Sequence, residues 1–257
     1  MNVLNKMYDA CQLKRKQVAV LIDPDKIEVN KVSGLIKKAE EIGVSYIFIG
    51  GSLLLKNQVD AICIEIKKGS DIPVVLFPGN LSQLSPYTDA TLFLSLVSGR
   101  NAEFLIGQHV VSAPLLKQMK QEVIPTAYVL IDGGRQTSVS YMSNTTPIPA
   151  DKTDIAASTA LAGEMLGMKM VYLEAGSGAQ NPVTEKMISR VKQQLSVPLI
   201  VGGGIRSAKK ATAAFEAGAD IIVVGTAIEN DVQFLEELKG VIASQNTLKL
   251  PNSSSLN

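Results

Sequence analysis

About eight times along the chain, a short apolar run rich in β-branched residues ends in glycine or a polar residue and gives way to a helical period. The runs cover 18–23, 46–50, 73–77, 91–97, 127–132, 170–174, 199–202 and 221–224. Between them, apolar residues fall on single helical faces: Val32, Leu35, Ile36 and Ala39; Val59, Ile62 and Ile66; Met187, Ile188, Val191 and Leu195; Leu235, Leu238 and Ile242. Runs that are apolar at successive positions are buried on both faces, which implies a parallel sheet covered by helices. An open doubly wound sheet and a closed barrel both fit this alternation. A chain of 257 residues is the usual size of the barrel. The expectation is an α/β fold, a (β/α)8 TIM barrel, and one domain over 1–257, because no linker rich in proline or glycine divides the chain. The tail 244–257, ending PNSSSLN, is expected to fray.

Two connections break the spacing. PGNLSQLSPYTDA, between the third and fourth runs, is too short and too interrupted by Pro86 for a full barrel helix. The helix after strand 3 is therefore missing or reduced, and the barrel is less covered on that side. After the fifth run the chain spends GGRQTSVSYMSNTTPIPADK before the next helix, the kind of long, turn-rich loop that often forms a lid.

Composition narrows the chemistry. Twenty-five Lys and Arg against 24 Asp and Glu leave +1, so no basic field draws nucleic acid, and an anion must be held by local geometry. Two cysteines, Cys11 and Cys63, and one histidine, His109, exclude Cys/His zinc clusters and histidine-centred triads, so a bound metal would see oxygen. His109 is placed on an outer helix without a catalytic role. The first residues lack a signal-peptide pattern and no apolar run spans a bilayer, which points to a cytoplasmic protein.

Polar residues and glycines gather after the strand candidates, and in a barrel those ends form one rim where active sites lie. VGGGIRSAKK, between a strand and a helix, offers consecutive backbone N–H groups at a helix start, and the next strand adds Gly225 and Thr226. Together they match the phosphate site of barrels after strands seven and eight, although each glycine could merely turn the chain. IDPDK supplies Asp23 and Asp25, and FIGGSLL brings Ser52 to the neighbouring rim position. These oxygens suit Mg²⁺, while capping a turn explains the aspartates equally well. YLEAGSG puts Glu174 two residues after Tyr172, on the same side of the strand, as a general base or a member of a structural ion pair.

With LIDPDK, FIGGSLL, PVVLFPGN, YMSNTTPIP, YLEAGSG, VGGGIRS and VVGTAIEND in this order over about residues 16–231, the chain resembles the geranylgeranylglyceryl phosphate synthases, a (β/α)8-barrel prenyltransferase family. The resemblance implies Mg²⁺ on Asp23 and Ser52. It implies sn-glycerol 1-phosphate bound by Tyr172, Leu173, Glu174, Ala175, Gly176, Ser177 and Gly178, by Gly203 and Gly204, and by Gly225 and Thr226. Glu174 would take the acceptor hydroxyl's proton as the catalytic residue, and a long prenyl diphosphate would be the donor. Family likeness also implies homo-oligomers and a lipid substrate met at the bilayer peripherally at most. Shorter bacterial members, the heptaprenylglyceryl phosphate synthases, carry a lysine two positions before the first aspartate, where this chain has Leu21. The long SNTTPIP loop is similar to that of the larger synthases. The uncovered side after strand 3 would give the tail a groove, with Tyr87 and Phe93 as candidates for limiting its length. A heptaprenylglyceryl phosphate synthase using a longer donor, a phosphate-binding isomerase or aldolase, needing neither metal nor groove, and a non-catalytic phosphometabolite-binding barrel are the competing readings.

Overall fold

Eight parallel strands close on themselves in the computed structural model, which describes residues 2–56, 58–225 and 232–247. They are β1 Gln17–Ile22, β2 Tyr46–Ile49, β3 Val74–Leu76, β4 Ala90–Ser95, β5 Glu122–Leu130, β6 Met170–Glu174, β7 Leu199–Gly202 and β8 Ile221–Val224. Each pairs with the next, and β8 returns to β1 with Gln17 opposite Ile221 and Val20 opposite Val224. The order of the sequence-predicted strands holds throughout and their locations hold closely, except that β5 begins at Glu122, five residues before the expected 127–132.

Strand alternation sorts the apolar residues into two layers. Val18, Val20 and Ile22 of β1 point outward, and they pack with the inner faces of α2 Val29–Ile42 and α3 Val59–Gly69 in one continuous core. Ala19, Tyr46, Phe48, Leu92, Tyr128 and Tyr172 point inward and fill the barrel. The anticipated helical faces on α7 Glu185–Lys192 and α9 Val232–Thr247 are also inward: Met187, Ile188, Val191, Leu235 and Leu238 are buried. α6 Thr153–Met165 and α8 Ala208–Glu216 complete the outer ring beside them.

A helix that the sequence reading did not anticipate, α1 Val3–Gln12, contributes Val3 and Met7 to the interior layer. Its first turn is held by the Glu122 carboxylate at the start of β5, which accepts the N–H groups of Val3 at 2.7 Å and Leu4 at 2.8 Å. The strand N-termini are thus closed by side chains, and the C-terminal rim is the end left open.

Between β3 and β4 only a three-residue 3₁₀ turn, Leu81–Gln83, stands where a barrel helix would pack. β4 is followed by a π-helical turn, Glu103–Gly107, running into α4 Gln108–Met119. The long connection after β5 is more ordered than a plain loop. It forms α5 Ser138–Met142, opened by a Thr137–Ser140 capping box, and is tied to the barrel by a bridge between Ile131 and Ile148.

The tail reading needs a correction over 244–247, because α9 continues to Thr247. Gln245 is buried, and Asn246 bonds both backbone groups of Lys16, accepting from its N–H at 2.8 Å and donating to its carbonyl at 3.2 Å. Residues 248–257 lie outside the described part of the chain. Losing this two-point tie to the start of β1, Asn246→Ala should cost roughly 1–2 kcal/mol in urea unfolding, whereas removing a frayed residue would cost nothing measurable.

Candidate active site

Barrel closure brings the strand C-termini to one cavity on the rim. Asp23 after β1, Ser52 after β2, Glu174 at the end of β6, Gly203 and Gly204 after β7 and Gly225 after β8 all line it. Tyr172, Ser177 and Gly178 line it as well. Leu173 and Ala175 do not: by strand alternation their side chains belong to the outer core, so any contact from them is through the backbone. Gly176 acts through its backbone, described below, and Thr226 lies outside the described residues.

Glu174 is the electrostatic centre of this cavity. Only 5% exposed, its carboxyl is raised by burial from the ordinary 4.5 to about 7, opposed by the N–H of Gly176, which donates to Oε1 at 2.5 Å. No cation pairs with it among the described ion pairs, so the structural ion-pair reading finds no support. The chain passes so close that a Cβ on Gly203 would stand 2.5 Å from Glu174 Oε1, and Gly203 itself has φ +82°. Beside Glu174 lies the Tyr172 hydroxyl, wholly buried and without a well-formed hydrogen bond. A buried hydroxyl facing a cavity in this way fits a ligand oxygen. Below it the rings of Phe77, Tyr128 and Tyr172 pack at centroid distances of 5.3–5.9 Å, forming an aromatic floor.

The two aspartates of IDPDK have different roles. Asp25 ties the β1 loop to the β2 loop by accepting the N–H groups of Leu55 at 2.7 Å and Lys56 at 2.9 Å, and these bonds hold its carboxyl below the usual range. Asp23 accepts the Asp25 N–H at 3.1 Å and pairs with Lys26 at 2.7 Å, yet it faces the cavity against Gly51 and beside Ser52. The turn-capping reading therefore holds for Asp23, through the Asp25 N–H, while Asp25 is a tie between loops; both oxygens of Asp23 are already partnered, one by that N–H and one by Lys26, so a cation there would compete with Lys26. One carboxylate and one hydroxyl are donors of the right chemistry for Mg²⁺, which usually keeps waters and completes its shell with substrate phosphates. Among the described residues there is no cluster of three or more Asp, Glu, His or Cys, so any such ion would depend on its substrate.

A second, apolar cavity opens where the barrel helix is missing. Phe93 and Leu94 of β4, Phe104 of the π-helical turn, His109 and Leu116 of α4 and Met142 of α5 are among its walls. It meets the polar cavity at Gly51, Ser52, Phe77, Tyr128 and Val139, which line both. Phe93 lies in the wall as anticipated, but Tyr87 does not: it is 44% exposed and outside the lining. His109 is on an outer helix but turned inward, 92% buried, with its ring edge-on to Phe93 at 4.4 Å and its basicity lowered by burial. The α5 segment supplies Val139 and Met142, so the long loop walls the groove.

Sequence reasoning also missed the basic groups of the rim. Lys26 and Arg206 line the polar cavity, and Arg206 donates to the Ala179 carbonyl at 3.1 Å; both sit inside motifs already singled out, IDPDK and GGGIRS. The Arg135 guanidinium, in the polar stretch 132–135 after β5, lies against Gly178 from the neighbouring loop. Charge near a glycine-rich anion site was the available signal.

The PcrB family model matches residues 11–244. A geranylgeranylglyceryl phosphate synthase of Chitinophaga pinensis is 56% identical over 242 residues, 93% of this chain and 96% of that protein. One from the archaeon Thermococcus kodakarensis is 47% identical over 82% of this chain and 83% of its own. A crystal structure of (S)-3-O-geranylgeranylglyceryl phosphate synthase from Thermoplasma acidophilum, in complex with its substrate sn-glycerol-1-phosphate, superposes with a TM-score of 0.90 at 37% identity, covering 96% of this chain and 99% of that one. The chain therefore belongs to the PcrB family, among the geranylgeranylglyceryl phosphate synthases.

Proposed function

We propose that the two joined cavities hold the two substrates of one ether-forming reaction, transfer of a geranylgeranyl group from its diphosphate to sn-glycerol 1-phosphate. The observation that carries this reading is the meeting of the apolar groove with the polar cavity at Ser52, Phe77, Tyr128 and Val139. A donor with an apolar tail and an anionic head fits such a junction, with its head beside Asp23. An isomerase or aldolase acting on a sugar phosphate needs no groove. Relatives named for this reaction, and one crystallised with sn-glycerol-1-phosphate, support the same reading.

The acceptor phosphate sits at the Gly203, Gly204 and Gly225 backbone with Arg206 beside it, where N–H groups and a guanidinium hold an anion. Its far hydroxyl then points toward Glu174. In the reaction the C1–O bond of the allylic diphosphate breaks with its electron pair on diphosphate, the hydroxyl oxygen bonds C1, and the hydroxyl proton passes to Glu174. Held by the Gly176 N–H, Glu174 keeps one oxygen fixed while the other takes that proton. The aromatic floor excludes water from the reacting carbon. Asp23 and Ser52 would hold Mg²⁺, which would supply positive charge against the departing diphosphate. The working protein is a single barrel domain of the cytoplasm that forms homo-oligomers and meets lipid peripherally. Among the described residues no helix is long and apolar enough to cross a membrane.

Asp23→Asn should lower turnover by on the order of 10²-fold or more with the fold unchanged, and Ser52→Ala should cost less, since water replaces a neutral ligand. Wild-type rates and metal dependence in Asp23→Asn would remove the metal assignment.

Glu174 must be deprotonated to act, so kcat/KM should fall about tenfold per pH unit below the value near 7, and Glu174→Gln should lose about 10²–10⁴-fold and that limb of the profile. Stability runs the other way. Because the folded-state value lies above the unfolded one, the native carboxyl favours folding in acid and loses that advantage as pH rises from about 4.5 through 7. Glu174→Gln should therefore be more stable than the parent by roughly 3 kcal/mol or a little more at pH 8 and equal to it at pH 4, measured by urea unfolding.

Incubation with labelled glycerol 1-phosphate, Mg²⁺ and a ladder of prenyl diphosphates should yield an extractable lipid, with geranylgeranyl diphosphate used far better than geranyl. Each buried CH₂ contributes about 0.8 kcal/mol until the groove ends. Ser112→Leu, which fills the groove from α4, should shorten the preferred donor without altering KM for glycerol 1-phosphate. Rates independent of donor length would place the tail elsewhere.

A further inference from the structure

The short connection that replaces the barrel helix ends its 3₁₀ turn in Gln83, a polar side chain only 1% exposed. Its amide is spent on two loops. Nε2 donates to the Gly51 carbonyl at 2.7 Å, while Oε1 accepts the N–H of Gly51 at 3.3 Å and of Gly79 at 3.1 Å. Gly51 is thus gripped through both its backbone groups, as a neighbouring strand would grip it, and Gly79 is fastened to the same amide.

These loops touch backbone to backbone. A Cβ on Gly50 would collide with the Phe77 carbonyl oxygen, and one on Gly79 with the Gly51 carbonyl oxygen. Nothing bulkier than glycine fits at these two positions, so the loops meet there through backbone. Among the described residues, Gln83 is the side chain that hydrogen-bonds to both. One loop carries Gly51 and Ser52, and the other carries Phe77, Pro78 and Gly79; Gly51, Ser52 and Phe77 line both cavities. The clamp therefore lies at the junction where head and tail of one donor must be placed together.

We infer that Gln83 is a positioning residue for the prenyl diphosphate, holding Ser52 in register with the groove mouth so that diphosphate and tail bind as one piece. The inference rests on the reaction proposed above. The acceptor side, built from the loops after β6, β7 and β8, receives no hydrogen bond from Gln83, so the consequence of losing the amide is selective.

The test compares full-length wild type, Gln83→Leu and Gln83→Glu with geranylgeranyl diphosphate, glycerol 1-phosphate and Mg²⁺. Gln83→Leu, similar in size but unable to bond, should raise KM for the donor about tenfold or more and leave KM for glycerol 1-phosphate within about twofold. Gln83→Glu keeps both accepting bonds but, once ionised, cannot donate to the Gly51 carbonyl. It should fall between the two and approach wild type as pH falls and the carboxyl regains its proton. Amide exchange at Gly51 and Gly79 should quicken in Gln83→Leu, a readout that does not depend on turnover. Equal rises in both KM values, or no rise in either, with an active wild type would overturn the positioning role. A wild type that joins no prenyl donor to glycerol 1-phosphate would overturn the proposed reaction, and this inference with it. If Gln83→Leu does not fold, Gln83→Glu decides by the same split between the two KM values and by its pH dependence.

Discussion

Everything functional in this protein follows from the pairing of β8 with β1. A parallel sheet left open would scatter its strand ends along a line, whereas closure sets all eight C-termini on one ring and brings residues more than 150 positions apart in sequence to one cavity. Asp23 and Glu174 are neighbours across that cavity for this reason. Closure also satisfies every strand's ladder, so the rim loops are free to be short, glycine-rich and shaped for ligands.

Within that ring the cost is concentrated at one residue. Burying a carboxyl without a cation is unfavourable, and here the Gly176 N–H and the nearby Tyr172 hydroxyl soften it only in part. The loop is built around the acid: Gly203 lies against Glu174 where a side chain would collide with it. A poised base and a destabilised fold have the same physical origin at this point, because dehydrating the carboxylate makes it both a better proton acceptor and a worse core group.

The barrel was legible because its strands are apolar at successive positions and its helices keep single buried faces; this depends on periodicity and length, both visible in a linear sequence. Asp23, Ser52, Glu174 and the Gly203 and Gly204 pair were legible for the same reason, since each follows a recognisable strand. The short chain between β3 and β4 likewise announced a gap. What escaped reading depends on contacts between distant segments. α1 buries only Val3 and Met7, too few to mark a face. The groove wall is assembled from β4, the π-helical turn, α4 and α5, and Tyr87, adjacent in sequence, faces outward. Leu173 and Ala175 were carried along with their motif although strand alternation assigns their side chains to the outer core. Gln83 gave no signal at all, because a glutamine in a polar loop looks the same whether it is solvated or clamped.

α5 stands apart from the rest of the ring. It belongs to no barrel repeat, packs no strand from outside, and is anchored near its ends, by the bridge between Ile131 and Ile148 and by the Asn101 amide donating to the Ser143 carbonyl at 2.9 Å. Its residues nevertheless form part of the groove wall. The two ends of α5 are not equivalent: Thr137 at its start packs against Gly176, and Ser138 and Val139 line the polar cavity, whereas Met142 lines the groove alone. Side-chain size at the Met142 end can therefore reshape the apolar compartment while the start of the segment stays tied to the loop that holds Glu174.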